Sequence, residues 1–502
     1  MDPLELSLIA HDVFEDEEGR LKVIDTIGSA CTLAVTTKAD YSPRSARLHR
    51  FFELLERRLP GLKEGRPIVW HDQGVPGYRF VLPAALAAFY RDLPPGVARL
   101  GWTGQARHQM ARRQAKAPHE LLHFQEHREL GRVARQRGLN LIETGLCERL
   151  PGERLNVYAT GEGQARALEL GEVGLLFNRW GFAQPDCPPW PLPPGLPVCN
   201  HPLVDFALER AKWMFRTLAT GGHSELATLF PREIRVGMGC AGPEELAEFA
   251  AGLARRPEAP AAVLKPLATH AGIDIRFLGS EELEKLRQEM EAAAGAQPAV
   301  REAVREALAR SFAYTKDDFL AGAFIWDVSK GPGPAQWRDL RWAQLELSVE
   351  DKRRWLEQAF PQADTLLTMH HPPLVELGTY LLQEFVPAKP VESRLNRSRQ
   401  RGYLRALFLG GDLIAAVYRL AREEAPGFTN LADSGVPTFF EAAPPAVEAR
   451  LAAELGPLNR SFLAALRPYA CQLAGEGARS LCRDMLQANW TAQGIESTEG
   501  RP

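Results

Sequence analysis

Four stretches of this chain hold residue types whose spacing could grip and transfer a phosphoryl group. The first is Val263-Leu264-Lys265-Pro266-Leu267-Ala268-Thr269-His270-Ala271-Gly272-Ile273, where a lysine leaves an apolar strand and a small-residue turn follows. Lysine there can meet phosphate oxygens as a point charge, and a flexible turn lets backbone N–H groups cover a phosphate. The same pattern also fits an ordinary strand edge. The second is Leu381-Leu382-Gln383-Glu384-Phe385-Val386-Pro387, a strand whose backbone can face an adenine edge before Pro387 ends it. By itself it also reads as a half-buried strand. The third runs from Gly402 to Arg419 as two apolar strands about a Gly410-Gly411-Asp412 turn, with Arg405 and Arg419 each toward an end. Permanently charged guanidiniums in so apolar a hairpin need anionic partners, either ligand phosphates or structural carboxylates. The fourth, Phe428-Thr429-Asn430-Leu431-Ala432-Asp433-Ser434-Gly435, is a polar loop, or an Asx turn.

The elements that must position these residues can be read from hydrophobic periodicity. Residues 1–36 predict two strands about the Asp16-Glu17-Glu18-Gly19 turn. Residues 43–58 predict a helix with Leu48, Phe51, Phe52, Leu54 and Leu55 as its apolar stripe. Pro67-Ile68-Val69-Trp70 opens an α/β unit that continues to the strand end at Asn178-Arg179. Residues 184–198 are proline-dense and mark a boundary. A helix is predicted from 201 to about 217, a buried strand at 262–266 and a long helix at 281–311. Residues 312–375 are Trp-rich, less regular and read as an insertion; strands resume at Tyr380, and 446–487 is helical before a polar tail. The fold class expected is α/β (α+β).

Composition narrows the function classes. Sixty basic residues face 63 acidic ones, a formal charge of −3, which argues against a general nucleic-acid binder. Seven scattered cysteines with no Cys-x-x-Cys pair point to a reducing cytoplasm. The start, Met1-Asp2-Pro3-Leu4-Glu5, lacks a basic segment followed by an apolar one, and no apolar run approaches the ~18 residues that span a membrane. No membrane or nucleic-acid partner is expected.

Taken in order, Lys-Pro with its small-residue loop, Gln-Glu-Phe-Val, Arg with Gly-Gly-Asp and Arg, then Thr-Asn with Ser-Gly, the chain resembles the ATP-grasp superfamily. It is nearest to the glutathione-synthetase and ribosomal-protein-modifying branch, over roughly residues 198–455. The resemblance implies ATP and magnesium as cofactors, and small-molecule carboxylate and amine substrates joined through an acyl phosphate with release of ADP and phosphate. It implies Lys212 near the α-phosphate, Lys265 at the α- and β-phosphates, and Thr269-His270-Ala271-Gly272 as the phosphate lid. Gln383, Glu384, Phe385 and Val386 would form the adenine hinge, with Glu392 toward the ribose. Arg405 and Arg419 would hold the γ-phosphate and the acyl phosphate, with Asn430 near the reacting groups. A small-molecule kinase and a nucleotide-binding regulatory protein are the alternatives. A homo-oligomer is left open.

One part of the family pattern is missing. The strand pair with acidic metal ligands, often ending Glu-x-Asn, does not follow the Asn430 loop; Glu441 is a substitute too close to Asn430. The hairpin at 6–29 has the missing shape, which implies a circular permutation with Asp12 and Asp25 as magnesium ligands. The other reading is a surface hairpin with two solvated aspartates. The expected division is 1–45 as this hairpin, 46–200 as an α/β domain, 201–311 as the phosphate-lysine lobe, 312–379 as an insertion, 380–490 as the second lobe and 491–502 as a tail. Arg394, Arg397, Arg399 and Arg401 beside Arg405 form either a basic mouth or a solvated loop. His370-His371 reads as packing, and Arg179 as a candidate for a substrate carboxylate.

Overall fold

The computed structural model describes residues 2–28, 44–71, 98–100, 124–150, 154–159, 166–178, 195–205, 212–221, 223–237, 243–253, 260–266, 275–294, 313–315, 365–367, 379–395, 397–400, 402–421 and 438–470, with single positions elsewhere. It is a mixed α+β molecule built on three main sheets. Strands β1 (Leu8–Glu15) and β2 (Leu21–Ile27) form the first hairpin. Its Asp16 carboxylate accepts from Arg20 N at 2.7 Å and Arg20 Nε at 2.9 Å, which closes the turn.

Helix α1 (Arg44–Arg58) then leads into an α/β unit. Its elements are β3 (Ile68–His71), β4 (Ala98–Leu100), α2 (Phe124–Gln136), β5 (Leu141–Leu150), β6 (Arg154–Ala159), β7 (Arg166–Glu169), β8 (Leu175–Asn178) and β9 (Val198–Cys199). The strand order is β7-β6-β5-β3-β8-β9, with β4 on β5; β3 runs parallel to β5 and β8. Parallel strands covered on both faces read as continuous apolar runs. Ile68-Val69-Trp70 and Leu175-Leu176-Phe177 do so, all buried, with Trp70 stacked on Phe177 at 3.8 Å.

Within the helix predicted at 201–217, the described residues Pro202–Asp205, Ala207, Leu208 and those from Lys212 onward are helical. One turn, Pro202–Asp205, is held by Asn200, whose Nδ2 donates to Asp205 Oδ1 at 2.9 Å. The same amide pairs with both backbone groups of Leu8 in β1, at 2.6 and 2.8 Å. These buried bonds pin that first turn to the sheet, and α3 (Lys212–Thr220) follows. The second sheet comes from β10 (Glu233–Gly237), β11 (Ala262–Pro266), β12 (Arg276–Leu278) and a later strand, with α4 (Pro243–Ala251) and α5 (Ser280–Ala294) packed on it. Strands β13 (Ala313–Thr315) and β14 (Thr365–Leu367) pair with each other, and β15 (Thr379–Glu384) completes the sheet in the order β10-β15-β11-β12. Side chains alternate between faces of a strand. Val236, Ala262, Leu264, Leu278, Tyr380 and Leu382 bury under the two helices, so Glu233, Lys265 and Gln383 share the opposite face.

A small hairpin, β16 (Val391–Glu392) with β17 (Arg399–Gln400), precedes the third sheet. Strands β18 (Gly402–Leu409), β19 (Asp412–Ala421) and β20 (Thr438–Ala442) lead into the long helix α6 (Pro445–Ala470). Leu409 pairs with Asp412, so the turn is the two glycines alone and Asp412 already belongs to β19. Gly410 has φ +55°, and a Cβ there would meet Glu5 O at 2.8 Å. Strand β1 lies antiparallel on β18, and the sheet runs β2-β1-β18-β19-β20. One face, with Ile9, Val13, Leu404, Ala406, Phe408 and Ala416, packs in one cluster with residues of α6 and α3. Part of the other face, Leu8, Ala10, Leu407, Leu409, Ile414 and Ala415, packs with the apolar stripe of α1. Each such fully buried side chain contributes roughly 1.5–3 kcal/mol of transfer free energy. Among the described residues no helix is long and apolar enough to cross a membrane.

Candidate functional site

Beyond the part that α1 covers, the same sheet face turns polar. Alternation carries it from Leu8 and Ala10 to Asp12 on β1, and from Leu409 and Leu407 to Arg405 and Tyr403 on β18. The register sets Asp12 opposite both Asp25 and Arg405, and Arg419 opposite both Tyr403 and Phe440. Directly opposed residues point to the same side. Five strands thus line up Asp25, Asp12, Arg405, Tyr403, Arg419 and Phe440.

Arg405 Nε and Nη2 donate to the two Asp12 oxygens, each at 2.8 Å, with the side chains 15% and 10% exposed. This bidentate geometry orients a guanidinium better than one contact can. Arg419 Nη1 donates to the Tyr403 hydroxyl at 2.6 Å, and its guanidinium lies between the Tyr403 ring at 5.7 Å and the Phe440 ring at 5.5 Å. Burial, the largest cause, raises the Tyr403 pKa, so the phenol stays neutral and accepts from the cation. Arg419 Nε is buried with no hydrogen-bond partner among the described residues. An unmet charged donor is costly unless a ligand oxygen satisfies it.

The second sheet reaches this row through Lys265. In the β1–β2 pair Asp12 faces Asp25 but Val13 faces Val23, so Ile24 is the extra residue of a bulge. A bulge leaves its extra residue outside the ladder. The Ile24 carbonyl accepts from Lys265 Nζ at 2.8 Å, one residue before Asp25, and Gln383 Oε1 accepts from the same ammonium at 2.7 Å. Strand β15 stops at Glu384, midway through the expected hinge at 383–386. Glu384 N and Phe385 N are spent on Arg232 O and Ala261 O, at 2.8 and 3.0 Å. Val386 packs with Phe14, Ala388 and Tyr403, which sets the chain after the strand beside the arginine row.

Behind the sheet, His11 is fully buried between Thr26 Oγ1 at 3.0 Å and Asn459 Oδ1 at 2.8 Å. The amide oxygen only accepts, so Nε2 carries the proton and Nδ1 accepts from the hydroxyl. Burial pushes its pKa down to about 4 and keeps the ring neutral.

The other expected residues are placed as follows. Lys212 begins α3. Thr269, His270, Gly272, Asn430, Arg179, Arg401, His370 and His371 lie outside the described residues. Glu392 is exposed on β16, and Arg394, Arg397 and Arg399 are exposed about its turn. Glu441 pairs with Tyr418, which faces α6, and its carboxylate accepts from Ser393 Oγ at 3.0 Å and Arg394 N at 3.1 Å. It closes the base of the β16–β17 turn and cannot stand in as a metal ligand beside Asp25. Among the described residues no group of three or more His, Cys, Asp or Glu could hold a metal ion. A cation that keeps waters and phosphate oxygens, as magnesium does, asks only one or two carboxylates of a protein, and the row contains two, Asp12 and Asp25. Tyr403 and Phe440 were not singled out by motif. Tyr403 was legible as the same-face neighbour of Arg405, two residues away, whereas Phe440 required the pairing of β20.

No protein-family model matches the chain, and no curated protein does. Among solved structures, one neighbour is a protein from Methylobacillus flagellatus KT named provisionally as a gamma-glutamylcysteine synthetase; the likeness covers 92% of this chain and 89% of that one, at 13% identity and a TM-score of 0.38, too slight to bear on function.

Proposed function

We propose that this chain is an ATP-dependent ligase of the ATP-grasp type, activating a carboxylate as an acyl phosphate for attack by an amine. The observation that carries the reading is the meeting of two sheets at the β2 bulge. Lys265 of one sheet binds Ile24 O, next to Asp25 at the end of the Asp12–Arg405–Tyr403–Arg419 row of the other. A triphosphate lying there would have a lysine on one side and two arginines on the other.

A carboxylate is a poor electrophile, and phosphorylating it makes attack by an amine feasible. Such transfer needs positioning and charge stabilisation more than a protein nucleophile. Arg405 is pre-oriented by Asp12, and Arg419 keeps Nε for an incoming oxygen. Lys265 supplies a third cation from the other sheet. Past the end of β15, the backbone at 385–386 would meet the adenine, since Glu384 N and Phe385 N are already engaged. Asp12 and Asp25 would hold magnesium, which neutralises phosphate charge when bound. On this reading β1 and β2 are the permuted metal-binding strands of the second lobe.

The test is ATP turnover against a panel of amino acids and dicarboxylates, with free phosphate and ADP measured separately. Phosphate release that requires both a carboxylate and an amine supports the ligase. ADP without free phosphate would transfer the assignment to a kinase. Tight nucleotide binding without turnover on any panel member would make the chain a nucleotide-binding regulator.

A further inference from the structure

Lys265 does not stand at the β2 bulge by itself. Its ammonium touches Gln383, and that amide begins a chain of contacts across the second sheet to α3. Gln383 Nε2 donates to Glu233 Oε2 at 3.1 Å, and Glu233 Oε1 accepts from Arg216 Nη1 at 3.0 Å. Arg216 is itself rooted: it donates to Pro231 O at 3.0 Å and lies over the Phe230 ring at 5.4 Å. The register explains the approach. Gln383 sits opposite Glu233 on one side and Val263 on the other, and Lys265 follows Val263 on the same face.

The amide can face only one way. An ammonium only donates and a carboxylate only accepts, so Oε1 must meet Lys265 and Nε2 must meet Glu233. Gln383 is 4% exposed, which holds it in that orientation. The amide also keeps the two charges apart. An apolar side chain in its place would leave the Glu233 carboxylate to draw the ammonium down onto the sheet, away from the Ile24 carbonyl. Arg216 works in the same direction, because it balances the carboxylate from the far side. Among hydrogen bonds, those to charged groups are the stronger ones, roughly 1.5–3 kcal/mol each.

We propose that Gln383, Glu233 and Arg216 are positioning residues for Lys265, a side-chain relay that holds its ammonium at the β2 bulge, where a phosphate would meet it. This rests on the nucleotide reading above. It also reassigns Gln383: its side chain serves the lysine and not the adenine, which then falls to the backbone beyond Glu384.

The experiment is a double-mutant cycle read by calorimetric binding of ATP with magnesium to the full chain, with circular dichroism as the check on folding. Lys265→Ala should weaken binding roughly 10- to 100-fold, and Glu233→Ala and Gln383→Ala each about 5- to 10-fold. In the Lys265→Ala background the same two changes should cost under about twofold, because they act through the lysine. Glu233→Gln keeps an acceptor for the amide and should restore most of the affinity that Glu233→Ala loses. If Glu233→Ala does not fold, Gln383→Met carries the cycle, since methionine keeps the length and removes both hydrogen bonds. Equal losses in both backgrounds, or no loss from the relay residues while Lys265→Ala is weak, would overturn the relay and leave the nucleotide reading standing. Unchanged affinity in Lys265→Ala would instead remove the nucleotide reading itself.

Discussion

Replacing Asp12 by alanine tests the centre of the candidate site without assuming any substrate. The change leaves Arg405, 15% exposed, without the carboxylate that meets both Nε and Nη2 at 2.8 Å. Breaking a buried pair from one side costs roughly 3–5 kcal/mol, chiefly because a charge is left behind. The slight exposure of both partners places this pair at the low end, at about 3 kcal/mol. Arg405→Ala should cost a similar amount by stranding Asp12. The double variant strands neither, so it should cost about as much as one single change, a coupling of roughly 2–3 kcal/mol. A chain of several units need not unfold in one step. The assay is therefore native-state hydrogen exchange on peptides covering β1 and β18, whose Asp12–Arg405 register the pair spans. A loss of 3 kcal/mol appears there as opening about 100-fold more frequent. Single changes whose effects simply add, or peptides as protected as in the parent protein, would mean the two side chains are solvated and independent. The sheet face would then not be a pre-oriented site.

Two further outcomes follow from the same sheet. His11 titrates at 6.5 when exposed and near 4 in the fold, so between those values the unfolded chain binds the extra proton. Its contribution is complete above about pH 6.5 and is lost as pH falls toward 4, amounting to about 2 kcal/mol by pH 5. Urea midpoints at pH 7.5 and 5.0 should therefore differ less in His11→Gln than in the parent, though not vanish, because burial pushes His201 down to about 4 as well; an unchanged difference would show that His11 does not titrate as argued. Gly410→Ala should destabilise by about 1–2 kcal/mol, since φ is +55° and a Cβ would meet the Glu5 backbone; a variant with an unchanged melting temperature would contradict the tight turn.

Much of the local structure could be read from residue order. Period-two alternation and the Asp16-Glu17-Glu18-Gly19 and Gly410-Gly411 turns outline the two hairpins of the third sheet. The Leu48, Phe51, Phe52, Leu54 and Leu55 stripe marks α1. These are short-range consequences of sterics and burial, so a sequence carries them directly. The contacts that anchor the start of the helix at 201–217 were not legible, because periodicity does not register Asn200 binding Leu8 almost two hundred residues earlier.

The site divides the same way. Chemistry alone requires Arg405 and Arg419 to find anions, but it leaves open whether those are ligand oxygens or the protein's own. The tertiary structure decides differently for each: both oxygens of Asp12 accept from Arg405 Nε and Nη2, while Arg419 rests on Tyr403 and Phe440 with Nε unmatched among the described residues. Lys265 could be seen leaving a strand, yet its partners Ile24 O and Gln383 lie 241 and 118 residues away. A bulge in an edge strand frees the first, and cross-strand register supplies the second. Sequence determines which residues share a face of one strand. Which strands become neighbours, and hence which charges meet, depends on the burial of three apolar faces at once, a property of the whole chain that no local window contains.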